Sequence, residues 1–377
     1  MDSRLRLRYY FNMRLIHLKT KGFRNLKNLS LEFSPKKSLF AFVGQNGQGK
    51  TNILEAMYIC GLSKSFRNAN YDQWVGWNQP FCDVQVGLGQ GDEIKTLQVI
   101  AMAQPRKQKA LKINGVKTPA MEFIGQLKVV FFSPDDLAYM GFAPKWRRRY
   151  LDVLLSQLSS DYLKALSRYQ SILKQRNALL KNIRDGLAQL DELDLWDEQL
   201  AAGAMQIYEA RDELIADLVP LLQKYYQAIA HHEDHVEVEL VSTLSHANEK
   251  ECLEHLRLGR TQDVGRGMSQ FGPHRDDLEF RLNGQDMATF ASRGEWRSMV
   301  LGLKFAEVQI IKQKTGQSPI VLLDDVFSEL DEDRQRDLLG ELSDEQIFLT
   351  TTHQSFLEGV SLPMEVFGVK EGGVNLA

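Results

Sequence analysis

The chain has 377 residues, 43% hydrophobic and 25% charged, the balance of a globular protein too long for one ordinary core. Lys+Arg 46 against Asp+Glu 49 gives a formal net charge of -3, so overall charge does not announce a nucleic-acid binder, and no apolar run approaches the ~20 residues of a membrane span. The cysteines, Cys60, Cys82 and Cys252, lie far apart without a C-x-x-C; this excludes a disulfide scaffold and a thiolate zinc site, and a cytoplasmic location is expected.

Residues 1–12 carry Arg4, Arg6 and Arg8 but no apolar stretch of a signal peptide. They read as an N-terminal tail of little structural weight, with Met13 as the natural start. From Met13 to Val43 the pattern predicts three short strands, the last at Leu39–Val43. A Gly-rich turn follows, then a helix from Lys50 to about Cys60. Alternation returns from Phe81 to Ile113, and Asn114-Gly115 marks a hairpin. Lys128–Phe132 reads as a buried strand stopped by Ser133-Pro134.

From Trp146 to about His232 strand signals vanish. Leu155, Leu158, Tyr162, Leu166, Tyr169 and Leu173 form one helical stripe; Leu200, Ile207, Leu214, Leu218 and Leu221 form another. The spacing predicts two or three long helices inserted into the fold. Val236–Leu240 alternates again. A strand at Ile320–Leu323, a helix over Asp331–Leu342 and a strand at Ile347–Leu349 close the chain.

Gly44-Gln45-Asn46-Gly47-Gln48-Gly49-Lys50-Thr51 fits G-x-x-x-x-G-K-[ST] between a strand and a helix. In such a loop backbone N–H groups curl round phosphate oxygens at a helix N-terminus. Lys50 is placed to reach the β- and γ-phosphates of ATP, and the Thr51 hydroxyl to ligate Mg²⁺. Ile320–Leu323 ends in Asp324-Asp325, at the strand end where α/β sheets bind ligands. Asp324 is the candidate for Mg²⁺, largely through water, and Asp325 for polarising the attacking water. Ser292-Arg293-Gly294 opens an apolar helix, an anion-binding arrangement or a plain N-cap. Thr350-Thr351-Thr352-His353 follows the last strand; alone, His353 is an ordinary strand-end histidine.

The order of these signals resembles the ABC-type ATPases, in the branch of the SMC proteins and RecF. Phe23-Arg24-Asn25, Lys64-Ser65-Phe66-Arg67, Ser133-Pro134-Asp135-Asp136-Leu137, Arg148-Arg149-Tyr150-Leu151-Asp152, Lys174-Gln175-Arg176-Asn177 and Gly272-Pro273-His274-Arg275-Asp276-Asp277 are similar to the RecF family in particular. The resemblance implies an α/β ABC-type ATPase head, a phosphate-loop mixed sheet with flanking helices, carrying an inserted helical lobe. Lobe I then comprises 13–144 and 261–377, and lobe II 145–260. It also implies that Ser292 and Gly294 form the signature motif, which contacts the γ-phosphate held by the other protomer. Asp331 fits the D-loop and His353 the switch histidine. Two departures stand out: the catalytic carboxylate is Asp325 where many relatives have Glu, and Trp296 replaces a smaller side chain after the signature. No Q-loop glutamine is placed; Ser133-Pro134 occupies that region.

By the same resemblance the chain is expected to bind ATP and Mg²⁺ and to dimerise with ATP. It is expected to hydrolyse ATP weakly and to bind single- and double-stranded DNA at gaps or junctions. Its implied partners are RecR and, indirectly, RecO, with RecA loading as the outcome and no membrane involved. The stretch from Lys50 to Asp324 is too short for the coiled-coil arms of an SMC protein. A transporter-type ATPase subunit and an adaptor with a dead nucleotide site are the competing readings. Among basic residues, Lys145 and Arg147–Arg149 suit internal salt bridges, and Arg106, Lys107, Lys109 and Lys112 surround an exposed hairpin. No aromatic-interleaved basic stripe is visible along the sequence.

Overall fold

The structure is a computed structural model and describes residues 13–376 apart from 68, 91, 92, 137–140, 142, 231 and 246. The expected tail, 1–12, lies outside the described residues. The chain divides into two compact units, Met1–Leu137 with Val300–Ala377, and Ala138–Met299.

The first unit contains two sheets. Strands β1 (Arg14–Lys21), β2 (Leu29–Glu32), β4 (Phe81–Gln90), β5 (Glu93–Met102), β6 (Gln108–Ile113) and β7 (Val116–Lys117) form an antiparallel sheet in the order β2-β1-β4-β5-β6-β7. Asn114 and Gly115, at φ 49° and 80°, make the two-residue turn joining β6 to β7. The second sheet runs β15-β14-β3-β13-β12-β8. It is built from β3 (Leu39–Val43), β8 (Val129–Phe132), β12 (Ile320–Asp324), β13 (Gln346–Thr351), β14 (Met364–Lys370) and β15 (Gly373–Leu376). Its strands are parallel except β15. Continuous apolar runs such as Leu39-Phe40-Ala41-Phe42 suit strands covered on both faces.

Helix α1 (Lys50–Leu62) is buried from Ile53 to Leu62 and packs on strands of both sheets. A helix apolar all round is a core helix. It approaches β8 so closely that a Cβ at Gly61 would lie 2.5 Å from a Val129 methyl. The Gln346 side chain also joins the sheets, accepting from the Leu15 N–H and donating to the Leu15 carbonyl, both at 2.8 Å.

The second unit holds helices α2 (Pro144–Leu158), α3 (Ser160–Arg184) and α4 (Asp194–Ala230), then strands β9 (Val236–Val241), β10 (Asp277–Leu282) and β11 (Gln285–Asp286). The 37 residues of α4 give a length of about 55 Å. Three stripe positions differ from the sequence reading, and the first of them, Leu158, is only half-buried. Ile172 and Leu222 are buried where Leu173 and Leu221 were expected. The first helix also stops at Ser159, whose hydroxyl caps α3 by accepting from the Tyr162 N–H at 3.1 Å. The compact unit extends past the expected 145–260, because β10 pairs with β9 (Asp277↔Val241) and keeps the segment up to Met299 with the insertion.

Most of the family-like stretches in this unit are parts of buried ion-pair networks. Arg176 is fully buried and donates to Asp197 at 2.6 Å and to Asp263 and Ser269 at 2.7 Å. Arg211 donates to Asp276 and the Pro273 carbonyl at 2.7 Å and to Asp152 at 2.8 Å. Arg147 holds Asp277 with two 2.6 Å bonds, and Arg148 donates to the Asp276 carbonyl. Of the basic cluster, Arg147 thus has the expected internal salt bridge and Arg148 an internal backbone partner. Burial pushes His274 down to about 4, and its Nδ1 lies 2.6 Å from the Tyr169 hydroxyl. Arg176→Met would leave the buried Asp263 carboxylate without its cation. A destabilisation of roughly 3 kcal/mol is expected, read as a lower urea midpoint.

Candidate nucleotide site

The loop between β3 and α1 takes the shape its glycines allow. Gly47 and Gly49 sit at φ 79° and 108°, and Gly49 caps α1. Gly44 is packed so closely that a Cβ there would lie 2.3 Å from the Val369 carbonyl oxygen. The Lys50 ammonium donates to the carbonyls of Gly44, at 2.6 Å, and Gln45, at 3.0 Å. Burial lowers its pKa, against the pull of Asp325 and Asp324.

Asp324 ends β12 beside this loop. One of its oxygens, Oδ1, accepts from the Thr51 hydroxyl at 2.8 Å and the Thr350 hydroxyl at 2.7 Å. Asp325 follows in the left-handed region, at φ 52°. Its N–H donates to the Thr350 hydroxyl at 2.9 Å and to the Thr350 carbonyl at 3.2 Å. Among the described residues, Asp325 Oδ1 is a buried oxygen without a hydrogen-bond partner. Burial raises the pKa of both carboxyls; Asp324 and Glu329 add to the rise at Asp325, and Lys50 and His353 oppose it. A cavity of about 240 Å³ opens here, lined in part by Asn46, Lys50, Thr51, Arg67, Asp324 and Asp325. The walls are cationic at Lys50 and Arg67 and offer hard oxygens at Thr51 and Asp324, the donors a small divalent cation takes together with phosphate oxygens and water. Among the described residues, no group of three or more His, Cys, Asp or Glu is arranged to hold a metal ion.

Two family-like stretches brace this loop from behind. Glu55 of α1 is fully buried and accepts from Arg24 at 2.6 and 3.0 Å, Ser65 at 2.5 Å and Arg67 at 3.4 Å. Arg67 also donates to Asn52 at 2.7 Å, and Asn52 to Asn25 at 2.6 Å. A third brace comes from the C-terminal hairpin: the Gly372 N–H donates to the Gln48 carbonyl at 2.9 Å and the Glu371 N–H to Gln48 Oε1 at 2.6 Å. The Gln48 side chain is therefore engaged with this turn. Sequence reasoning missed Thr350, Asn52 and Glu55; the threonine run at 350–352 was the one visible signal for the first.

His353 follows β13 and is not among the residues lining the cavity; its ring lies 6.0 Å from that of Phe356. Asp331 caps the helix Glu332–Glu341, accepting from the Arg334 N–H at 2.9 Å. In the second unit, Ser292 caps the helix Arg293–Thr315. Its hydroxyl accepts from the Glu295 N–H at 3.2 Å, and the Glu295 carboxylate accepts from the Ser292 N–H at 2.6 Å. A Cβ at Gly294 would meet nothing closer than Ser292 Oγ at 3.9 Å, so the surface there is open. Trp296 turns into its own unit, donating to the Met287 carbonyl at 3.1 Å and meeting Phe280 edge to face.

The chain matches the RecF/RecN/SMC N terminal domain family over residues 14–375. It is 37% identical over 349 residues to a DNA replication and repair protein RecF from Heliobacterium modesticaldum, covering 90% of this chain and 93% of that one. It is 36% identical over 378 residues to the RecF of Halalkalibacterium halodurans, covering 96% and 100%. Its fold superposes on a solved structure of the recombination mediator protein RecF with ATPrS, of the RecFOR pathway. The TM-score is 0.89 at 30% identity, over 97% of this chain and 99% of that one.

Proposed function

From the membership of this chain in the RecF family, we propose that it is an ATP-dependent DNA-binding protein of recombinational repair and replication restart. The fold is the ABC-type ATPase head of the SMC-like branch. The observation that carries the reading is the cavity where Lys50, at the phosphate loop, faces the end of β12 with Asp324 and Asp325. An adaptor with a dead site would have no reason to keep a partly desolvated cation and a buried carboxylate oxygen at one place.

In this reading Lys50 exchanges the Gly44 and Gln45 carbonyls for β- and γ-phosphate oxygens, and the loop amides complete the cradle. Thr51 and Asp324 would hold Mg²⁺, which supplies charge neutralisation on the phosphates. Asp325, with its unpaired Oδ1, orients the attacking water. Ser292 and Gly294 of a second copy cap the γ-phosphate, Asp331 serves the dimer contact as the D-loop, and His353 senses the γ-phosphate. ATP then closes a homodimer, slow hydrolysis reopens it, and closure forms a surface for single- or double-stranded DNA at gaps or junctions. RecR, and RecO through it, are the proposed partners in loading RecA, in the cytoplasm. The chemistry is a switch: a γ-phosphate bound by both protomers shifts the population to the dimer.

Light scattering with ATP, ADP or neither, each with and without duplex DNA, tests it. A dimer with ATP alone or with ATP and DNA is expected, and none with ADP; equal mass in every condition overturns the switch. Asp325→Asn keeps the shape and loses the base. It is expected to retain ATP binding, slow turnover by roughly 100-fold and prolong the dimer. Asp324→Asn is expected to weaken Mg²⁺ binding and with it both steps. Turnover at the wild-type rate in Asp325→Asn would move the water-orienting role to another group.

A further inference from the structure

One end of the antiparallel sheet carries a surface that the nucleotide site does not use. The register sets Lys21 opposite Asp83, Phe81 opposite Met102, and Met102 opposite Gln108. The turn 76–79 leading into β4 and the loop 103–107 joining β5 to β6 therefore share that end with Lys21. At the tip of the turn, Trp77 is 93% exposed.

The turn is built to hold it there. The Gly76 N–H donates to the Gly22 carbonyl at 2.8 Å and the Gln79 N–H to the Gly76 carbonyl at 3.0 Å. A Cβ at Gly76 would lie 2.6 Å from the Arg24 carbonyl oxygen, and one at Gly22 2.6 Å from that of Phe81, so both backbones approach as only glycines permit. Cations lie at the same end of the sheet. The Lys21 ammonium sits over the Phe81 ring at 5.5 Å, Arg106 is exposed in the neighbouring loop, and Lys107 stays 63% exposed while paired with Asp72. The exposed residues that follow Trp77 are Asn78, Gln79 and Pro80. The other exposed large hydrophobics of this sheet among the described residues, Ile94 and Val116, lie at its opposite end. A protein-docking patch has an apolar centre of several side chains. A single rigid aromatic among cations and amides suits a nucleobase, whose π-face stacks while the adjoining phosphates meet the cations.

We propose that Trp77, which shares its end of the sheet with Lys21 and Arg106, stacks on an unpaired base of DNA, in a single strand or at a gap. This rests on the DNA-binding reading and adds a contact that distinguishes unpaired from paired DNA. The turn shares its support with the phosphate loop: Arg24 donates its N–H to the Trp74 carbonyl at 2.8 Å, and the Asn25 amide donates to the Gly47 carbonyl at 3.4 Å.

The test is fluorescence anisotropy with ATP, using a labelled single strand, a gapped duplex and a blunt duplex. Trp77→Ala is expected to weaken single-strand and gapped binding by about tenfold while blunt-duplex affinity stays within about twofold. Trp77→Phe is expected to keep most of the affinity, and Arg106→Ala to reduce the salt slope on a single strand by about 0.7. ATP affinity unchanged in Trp77→Ala establishes that the variant is folded. Single-strand and gapped affinities equal to those of the unsubstituted protein, or equal losses on all three DNAs, overturn the stacking assignment. Unchanged DNA affinity with altered self-association in light scattering also overturns it, assigning Trp77 to a protein contact. Failure of the unsubstituted protein to bind any of the DNAs is a separate result and overturns the DNA-binding reading itself.

Discussion

Lys50→Met is expected to weaken ATP binding by roughly 100-fold, the scale on which one partner of a desolvated charge pair is lost. Methionine fills similar space but donates no hydrogen bonds, so the β- and γ-phosphates lose their cation while the loop keeps its glycine-determined shape. Folding is expected to be unharmed or improved. Burial already disfavours the Lys50 ammonium, and its present partners are two carbonyls of its own loop. Affinity and stability therefore move independently, which separates a ligand-binding cation from a structural one. A fluorescent-nucleotide titration beside a urea melt measures both. Unchanged affinity would mean that Lys50 points away from the nucleotide; loss of both would make it a structural residue.

What the sequence disclosed about this site depended on contiguity. Gly44–Thr51 and Ile320–Asp325 are unbroken segments whose spacing carries their geometry, so strand, loop and helix were legible together. Thr350 was not, because the two bonds of its hydroxyl, to Asp324 and from the Asp325 N–H, exist only once β12 and β13 pair in parallel. Glu55 was hidden by its setting, a single acid in a helix otherwise apolar all round, whose partners Arg24, Ser65 and Arg67 come from both sides in sequence. The clasp of Glu371 and Gly372 on Gln48 joins residues at opposite ends of the chain. The insertion boundary was misplaced for a related reason. Alternation announced β9, but only its pairing with β10 and the ion pairs of Asp276 and Asp277 keep the following segment with the helices.

Ser292→Arg is expected to leave ATP binding by the monomer nearly intact and to abolish ATP-driven dimerisation, hydrolysis and ATP-dependent duplex binding together. Ser292 already has a local task, the reciprocal cap with Glu295, so part of any effect could be helix fraying, about 1 kcal/mol for a lost cap. Ser292→Ala removes that cap without adding bulk or charge and serves as the control for fraying. The decisive form mixes Ser292→Arg with Lys50→Met. If each nucleotide is bound by the phosphate loop of one copy and the signature helix of the other, a mixed dimer has one site with both lesions and one with neither. Each variant alone is then inactive, and the mixture recovers activity at the intact site. With random pairing half of all dimers are mixed, and each carries one intact site of two, so recovery approaches a quarter of wild-type turnover when sites act independently and less when they are coupled. Failure to recover, in a mixture shown to contain mixed dimers, would place both residues' action within one subunit and overturn the shared-site dimer.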